Sequence, residues 1–180
     1  MAYCDLLRMT VLLSAGAATA LAAVTVITVD EAGDTTTLIV AGAWWSIALV
    51  GGTVLGRASR AADAVREALA QARTTPTLPT DNPGRVAIAR LWPLIAFALV
   101  AGGFGLLFPE VAAIGAGYAL GAALAWRGRE AAVYAIEERD GVRFYVEPGS
   151  SFEPVRLVRT PGLGRDRDPT ASPPLPPGSA

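Results

Sequence analysis

Few residues in this chain can do chemistry, and their pattern excludes more than it offers. There is no His and no Lys, and one cysteine, Cys4. An intrachain disulfide, a Cys/His zinc site and a phosphate loop with its lysine are all impossible. Carboxylates gather at Glu137, Glu138, Asp140 and Glu147. Paired carboxylates can work as acid and base. Here they alternate with Arg139 and Arg143, which predicts solvated ion pairs instead. Gly115, Gly117 and Gly121 brush a dinucleotide fingerprint, but that motif needs a preceding strand, and this stretch is apolar throughout. Cys4 lacks the small-residue context of a lipoprotein signal and reads as a lone cytoplasmic thiol. No catalytic, cofactor-binding or metal-ligating residue is expected, and the chain is not expected to be an enzyme.

The residues that carry a pattern are the arginines and tryptophans. Arg8 precedes the first apolar run, and Arg57, Arg60, Arg66, Arg73, Arg85 and Arg90 lie between the second and third. The rest follow the fourth, from Arg127 to Arg167. The two remaining loops, 30–37 and 109–110, hold Asp30, Glu31, Asp34 and Glu110 and no arginine. The positive-inside rule then predicts four spans with both termini cytoplasmic, in a multi-pass cell-membrane protein. Trp92 and Trp126 fall where an aromatic belt belongs. Arg57, Arg60, Arg127 and Arg129, with Trp92 and Trp126, are the candidate contacts to lipid headgroups or a partner. The net charge of −1 gives no general attraction to nucleic acid.

The elements that position these residues are four apolar blocks, read as an all-α four-helix transmembrane bundle of two antiparallel hairpins. The block Leu91–Trp126 is uncharged except for Glu110, and Pro109-Glu110 breaks it into two limbs. Pro109 can open the second limb, since the first helical position has no hydrogen bond to lose. Residues 1–56 form the first hairpin. Its run Met9–Val29 can be read as a signal peptide cut near Ala18-Thr19-Ala20, or as a retained span, and its length favours the span. Gly52 and Gly56 lie on one helix face and permit close approach, as do Gly16/Ala20, Ala98/Gly102 and Gly117/Gly121. Ser14, Thr19, Thr25, Thr28, Ser46, Thr53 and Tyr118 are expected to hydrogen-bond between helices. Trp44 and Trp45 lie inside the second span and are expected to pack against lipid or another helix, with a small-molecule pocket as the alternative.

Residues 57–90 form an arginine-rich connector. Its first part, Arg57–Arg73, is helical in pattern. Thr74–Gly84 is a proline-rich linker, and Asn82-Pro83 starts the next helix. Gly84–Trp92 reads as a short interfacial helix, and Pro93 predicts a bend near Trp92 before the third span proper. Residues 127–159 are expected to form a small cytoplasmic β hairpin or meander. Asp140-Gly141 is its turn, Val133–Arg139 its first strand and Pro154–Arg159 a third strand. Glu138 would then face Arg143, and Ile136 would face Tyr145. Helical continuation of the fourth span is the rival for Ala131–Arg139. So small a sheet must pack on something, either the connector or the membrane surface. Residues 160–180 read as a disordered tail, with a PxxP-like stretch at Pro173–Pro177.

The Arg-only, Ala- and Gly-rich composition fits a genome rich in G and C, and a bacterial inner membrane is the expected location. The functional expectation is a small accessory or scaffold protein that presents its connector and β hairpin to a cytoplasmic protein or to anionic lipid. A channel or transporter subunit acting as a homo-oligomer is the alternative. The absence of ionisable residues within the spans weighs against proton-coupled transport.

Overall fold

A computed structural model describes residues 1–57, 65, 66, 69, 72–74, 82–147, 149, 151, 153 and 155–161. Most of the connector, including Arg60, and residues 162–180 of the expected tail lie outside them. The elements are α1 (Tyr3–Ala32), α2 (Thr35–Leu55), β1 (Arg73–Thr74), α3 (Pro83–Gly105), α4 (Pro109–Asp140), β2 (Val142–Val146) and β3 (Leu157–Pro161). The chain is mostly helical with a small sheet.

Local chemistry accounts for the helix ends. Gly33 takes φ 66°, and its N–H closes α1 onto the Asp30 and Val29 carbonyls. Asp34 caps α2, accepting from the N–H groups of Thr36 and Thr37. Asn82 caps α3 with its side chain on the Gly84 N–H at 3.0 Å, and Pro83 stands at the first position.

α1, α2 and α3 are each long and apolar enough to cross a membrane. α4 is not among them: its uncharged stretch, Val111–Trp126, is short for a span and is closed by Glu110 and Arg127. It has the central place instead and packs against α1, α2 and α3. Its buried positions are nearly all small: Ala112, Ala113, Gly115, Ala116, Gly117, Ala119 and Ala123. The large apolar side chains face outward. Ile39, Val40, Ile47 and Val50 on α2 and Leu99, Val100 and Phe104 on α3 are all exposed. Small inside and large outside reverses the pattern of a water-filled exterior and suits close helix packing in lipid.

The glycines permit that approach. A Cβ on Gly52 would meet the Gly121 carbonyl oxygen at 2.9 Å, and one on Gly128 would meet the Gly56 carbonyl oxygen at 2.0 Å. A Cβ on Gly117 would strike the Trp44 indole. Gly16, by contrast, faces open space. Hydroxyls depart from expectation. Thr19, Thr25, Thr28, Ser46 and Thr53 donate to carbonyls of their own helices, three or four residues back. That acceptor is always within reach and needs no second helix. Between α2 and α4 the described side-chain bonds come from the indoles. Trp44 Nε1 donates to the Ile114 carbonyl at 3.3 Å, and Trp45 Nε1 to the Ala113 carbonyl at 2.9 Å.

Two readings of the polar region need correction. Val133–Arg139 is not a strand; α4 runs through it without a break to Asp140. Extending a helix costs no new nucleus, and Ala131, Ala132, Ala135, Glu137 and Glu138 are favourable formers. Ala132, Val133 and Ile136 pack at helical spacing into an apolar cluster. Gly141 does take φ 62°, but as the left-handed residue that ends α4 rather than as a hairpin turn. The pairs Glu138/Arg143 and Ile136/Tyr145 therefore do not form. Instead β2 runs antiparallel to β3, with Phe144 opposite Arg159 and Val146 opposite Leu157. β1 joins the other edge of β3 in parallel, giving the order β1-β3-β2.

The second correction concerns Pro93. It lies inside one helix, α3, and the short separate helix before Trp92 is absent. The proline leaves the Ala89 carbonyl without its helical donor. The Ser151 hydroxyl, from the β2–β3 connection, donates to that oxygen instead.

Candidate functional site

One end of the bundle carries a folded platform. Its core joins Leu6 and Leu7 of α1, Val86 and Ala87 of α3, Val133 of α4, and Val142, Phe144, Val146 and Leu157 of the sheet. Val65 and Leu69, from the connector, are buried in the same cluster. Val133 and Val146 have no exposed surface. The beginning of the chain is stitched in as well. Val146 N–H donates to the Met1 carbonyl at 2.9 Å, and Ala2 pairs with Tyr145 as an antiparallel bridge. The sheet thus packs on three helices and the connector, which meets its need for a partner.

Glu137 is the polar pivot of this platform. Its Oε1 accepts from the Phe144 N–H at 2.9 Å, and its Oε2 from the Cys4 thiol at 3.3 Å. One carboxylate therefore ties the end of α4 to the first turn of α1 and to β2. Cys4 lies ahead of the apolar segment Met9–Val29. Burial, then the bond to Glu137, pushes its thiol up to about 12. A thiol held neutral at ordinary pH is a poor nucleophile. Among the other carboxylates, Asp140 pairs with Arg139 at 2.8 Å on the surface, where such pairs contribute little to stability. The Arg139 hydrogen bond holds the Asp140 carboxyl below the usual carboxylate range.

The β2–β3 connection docks beside the proline. Arg90 Nη1 donates to the Glu153 carbonyl at 2.7 Å, and Gly149 leaves space for the guanidinium, since a Cβ there would lie 2.8 Å from Nη2. With the Ser151 bond, this fastens the sheet to α3.

The described candidate headgroup residues, Arg57, Arg127, Arg129, Trp92 and Trp126, lie near the junction of bundle and platform. Arg129 lies over the Trp126 ring, 4.5 Å from its centre. This cation–π contact holds the guanidinium over the indole. The close contact of Gly56 with Gly128 brings Arg57 to the same level as Arg127 and Arg129. All three arginines are exposed, as is Trp92. Leu91 and Trp126, on α3 and α4, both pack against the platform core. Glu137 and Arg90 were not singled out by sequence reasoning as contacts. A signal for Arg90 existed: it precedes Pro93 by three residues, beside the carbonyl that the proline frees.

Among the described residues, no group of His, Cys, Asp and Glu could hold a metal ion. Two grooves between α2 and α4 have volumes of about 420 and 350 Å³. The larger is lined by Ile47, Ala48, Leu55, Tyr118 and several glycines, an apolar surface. Trp44 lines both, and its ring meets Tyr118 edge-on at 5.4 Å. Comparison with family models, curated proteins and solved structures finds no match.

Proposed function

We propose that this chain is a multi-pass membrane scaffold without enzymatic activity. It crosses the bilayer four times, with both ends cytoplasmic, and presents its platform to a cytoplasmic protein or to anionic lipid. The observation that carries this reading is the one-sided build. A bundle with large apolar side chains outside continues, at one end only, into a cluster of α1, α3, α4 and sheet residues. The exposed Arg57, Arg127 and Arg129 ring the neck between them, where cationic side chains meet lipid phosphate. Among the described residues, the opposite end holds the short turns at Gly33 and Leu106–Phe108. Support for retaining α1 comes from its packing: Leu21, Ser14 and Thr25 are buried, and its first turn belongs to the platform core. The apolar lining of the α2/α4 grooves favours the scaffold over a conducting subunit, which needs a polar path.

The test is cysteine accessibility in a Cys4→Ala background. Glu31→Cys should react with an impermeant maleimide in intact cells. Glu138→Cys, on the exposed face of α4, should react only after permeabilisation. Labelling of Glu138→Cys in intact cells would overturn the topology. Affinity purification of the native complex should then recover a partner that a Gly141→Val chain loses, or anionic lipid that Arg127→Ala/Arg129→Ala releases. Recovery of neither would overturn the scaffold role.

A further inference from the structure

The acidic end of the bundle has a site of its own. The smaller groove opens there, between the start of α2 and the start of α4. Val40, Ala41, Trp44, Ala113 and Ile114 form its apolar walls. Thr36 and Glu110 line its mouth. Its volume of about 350 Å³ lies in the range of small-molecule sites.

We propose that this groove holds one acyl chain of a phospholipid whose primary-ammonium headgroup is recognised by Glu110. The proposal rests on the membrane-spanning reading of the helices. Length supports an acyl chain: from Thr36 to Trp44, α2 rises about 12 Å. That approaches the depth of one leaflet in a hydrocarbon core roughly 30 Å thick. Trp44 closes the deep end of the groove. Its indole is fixed by the Ile114 carbonyl and by Tyr118, so the wall is preformed. Charge supports the headgroup. Asp30 and Glu31 stand at the end of α1, Asp34 caps α2 and Glu110 lies in the first turn of α4, and the connecting turns hold no arginine. A phosphatidylglycerol headgroup meets repulsion there, whereas an ammonium group is attracted. The Glu110 side chain is exposed at the groove mouth, where a headgroup would sit. Thr36 adds a hydroxyl that can donate to the lipid phosphate.

The experiment uses the full chain in bilayers containing phospholipids brominated on the acyl chain, which quench nearby indoles. The Trp44 signal is the difference between wild type and Trp44→Phe. Brominated phosphatidylethanolamine should quench Trp44 with about threefold higher apparent affinity than brominated phosphatidylglycerol, the size expected of a partly screened ion pair. Glu110→Gln should remove the preference, and Glu110→Asp should keep it. Quenching of Trp44 that is equal for both headgroups, or a preference that survives Glu110→Gln, would overturn the proposal alone. Trp44 shielded from every brominated lipid while Trp92 is quenched would mean that another protein copy covers the groove, and would also overturn it. No quenching of any tryptophan would overturn the membrane reading together with it.

Discussion

Gly128→Ala should push α2 away from α4 at the neck of the bundle. The new Cβ would stand 2.0 Å from the Gly56 carbonyl oxygen, 2.7 Å from its carbon and 2.8 Å from its Cα. Ordinary contact begins near 3.4 Å. The obstacle is backbone on both sides, so no side chain can swing clear. Gly56 is also held in place, because its own N–H donates to the Gly52 carbonyl at 2.8 Å. The helices must therefore part by more than about an ångström, and overpacking of this kind costs about 1–3 kcal/mol. Gly51→Ala and Gly103→Ala are the controls: nothing lies within 4 Å of either new methyl. Both should be neutral or slightly stabilising, since alanine is the better helix former. Thermal unfolding in mild detergent reads the difference. Trp45 reports whether the separation spreads along the pair, because its indole bond to Ala113 joins the same two helices toward their other end. Equal stability of Gly128→Ala and Gly51→Ala would refute the close crossing of α2 on α4.

Gly141→Val places a β-branched residue at φ 62° and should cost roughly 1–3 kcal/mol of platform stability. Limited proteolysis should then cut between Val133 and Arg159 more readily while membrane insertion stays unchanged; an unaltered digestion pattern would count against the helix cap. Ser151→Ala leaves the Ala89 carbonyl without a donor and should cost about 1 kcal/mol. Hydrogen exchange should show faster amides around Val155–Arg156, and unchanged protection would remove this bond from the docking. Cys4 should alkylate slowly at pH 8 in the native protein and readily once unfolded, because its thiol titrates near 12. Rapid native labelling would mean that the contact with Glu137 is not made.

Apolar run length and arginine placement are local properties, and they were legible in the chain. They located the helices, the cap at Asn82-Pro83, and the residues Trp92, Trp126, Arg127 and Arg129 at the ends of the apolar block. They also marked Gly141 as a position that needs positive φ, since an Asp-Gly pair after a polar run ends most regular structures. Which structure it ends depends on contacts far away. A hairpin would have left Val133 and Ile136 alternating on a two-stranded ribbon. Continuing the helix packs both against Leu6, Leu7, Val86 and Phe144, residues distant in sequence. Likewise, Ala and Gly spacing was too frequent to choose a partner for Gly56, and only the tertiary packing brings it onto Gly128. Pro93 announced a freed carbonyl at Ala89, but the donor lies at Ser151, across a chain reversal. Glu137 looked like one member of a solvated charge cluster until α1, α4 and β2 met around it. Hydrophobicity and charge act through each residue's own transfer free energy and can be read one position at a time. Hydrogen-bond satisfaction and close contact belong to pairs, and the fold alone decided which pairs met.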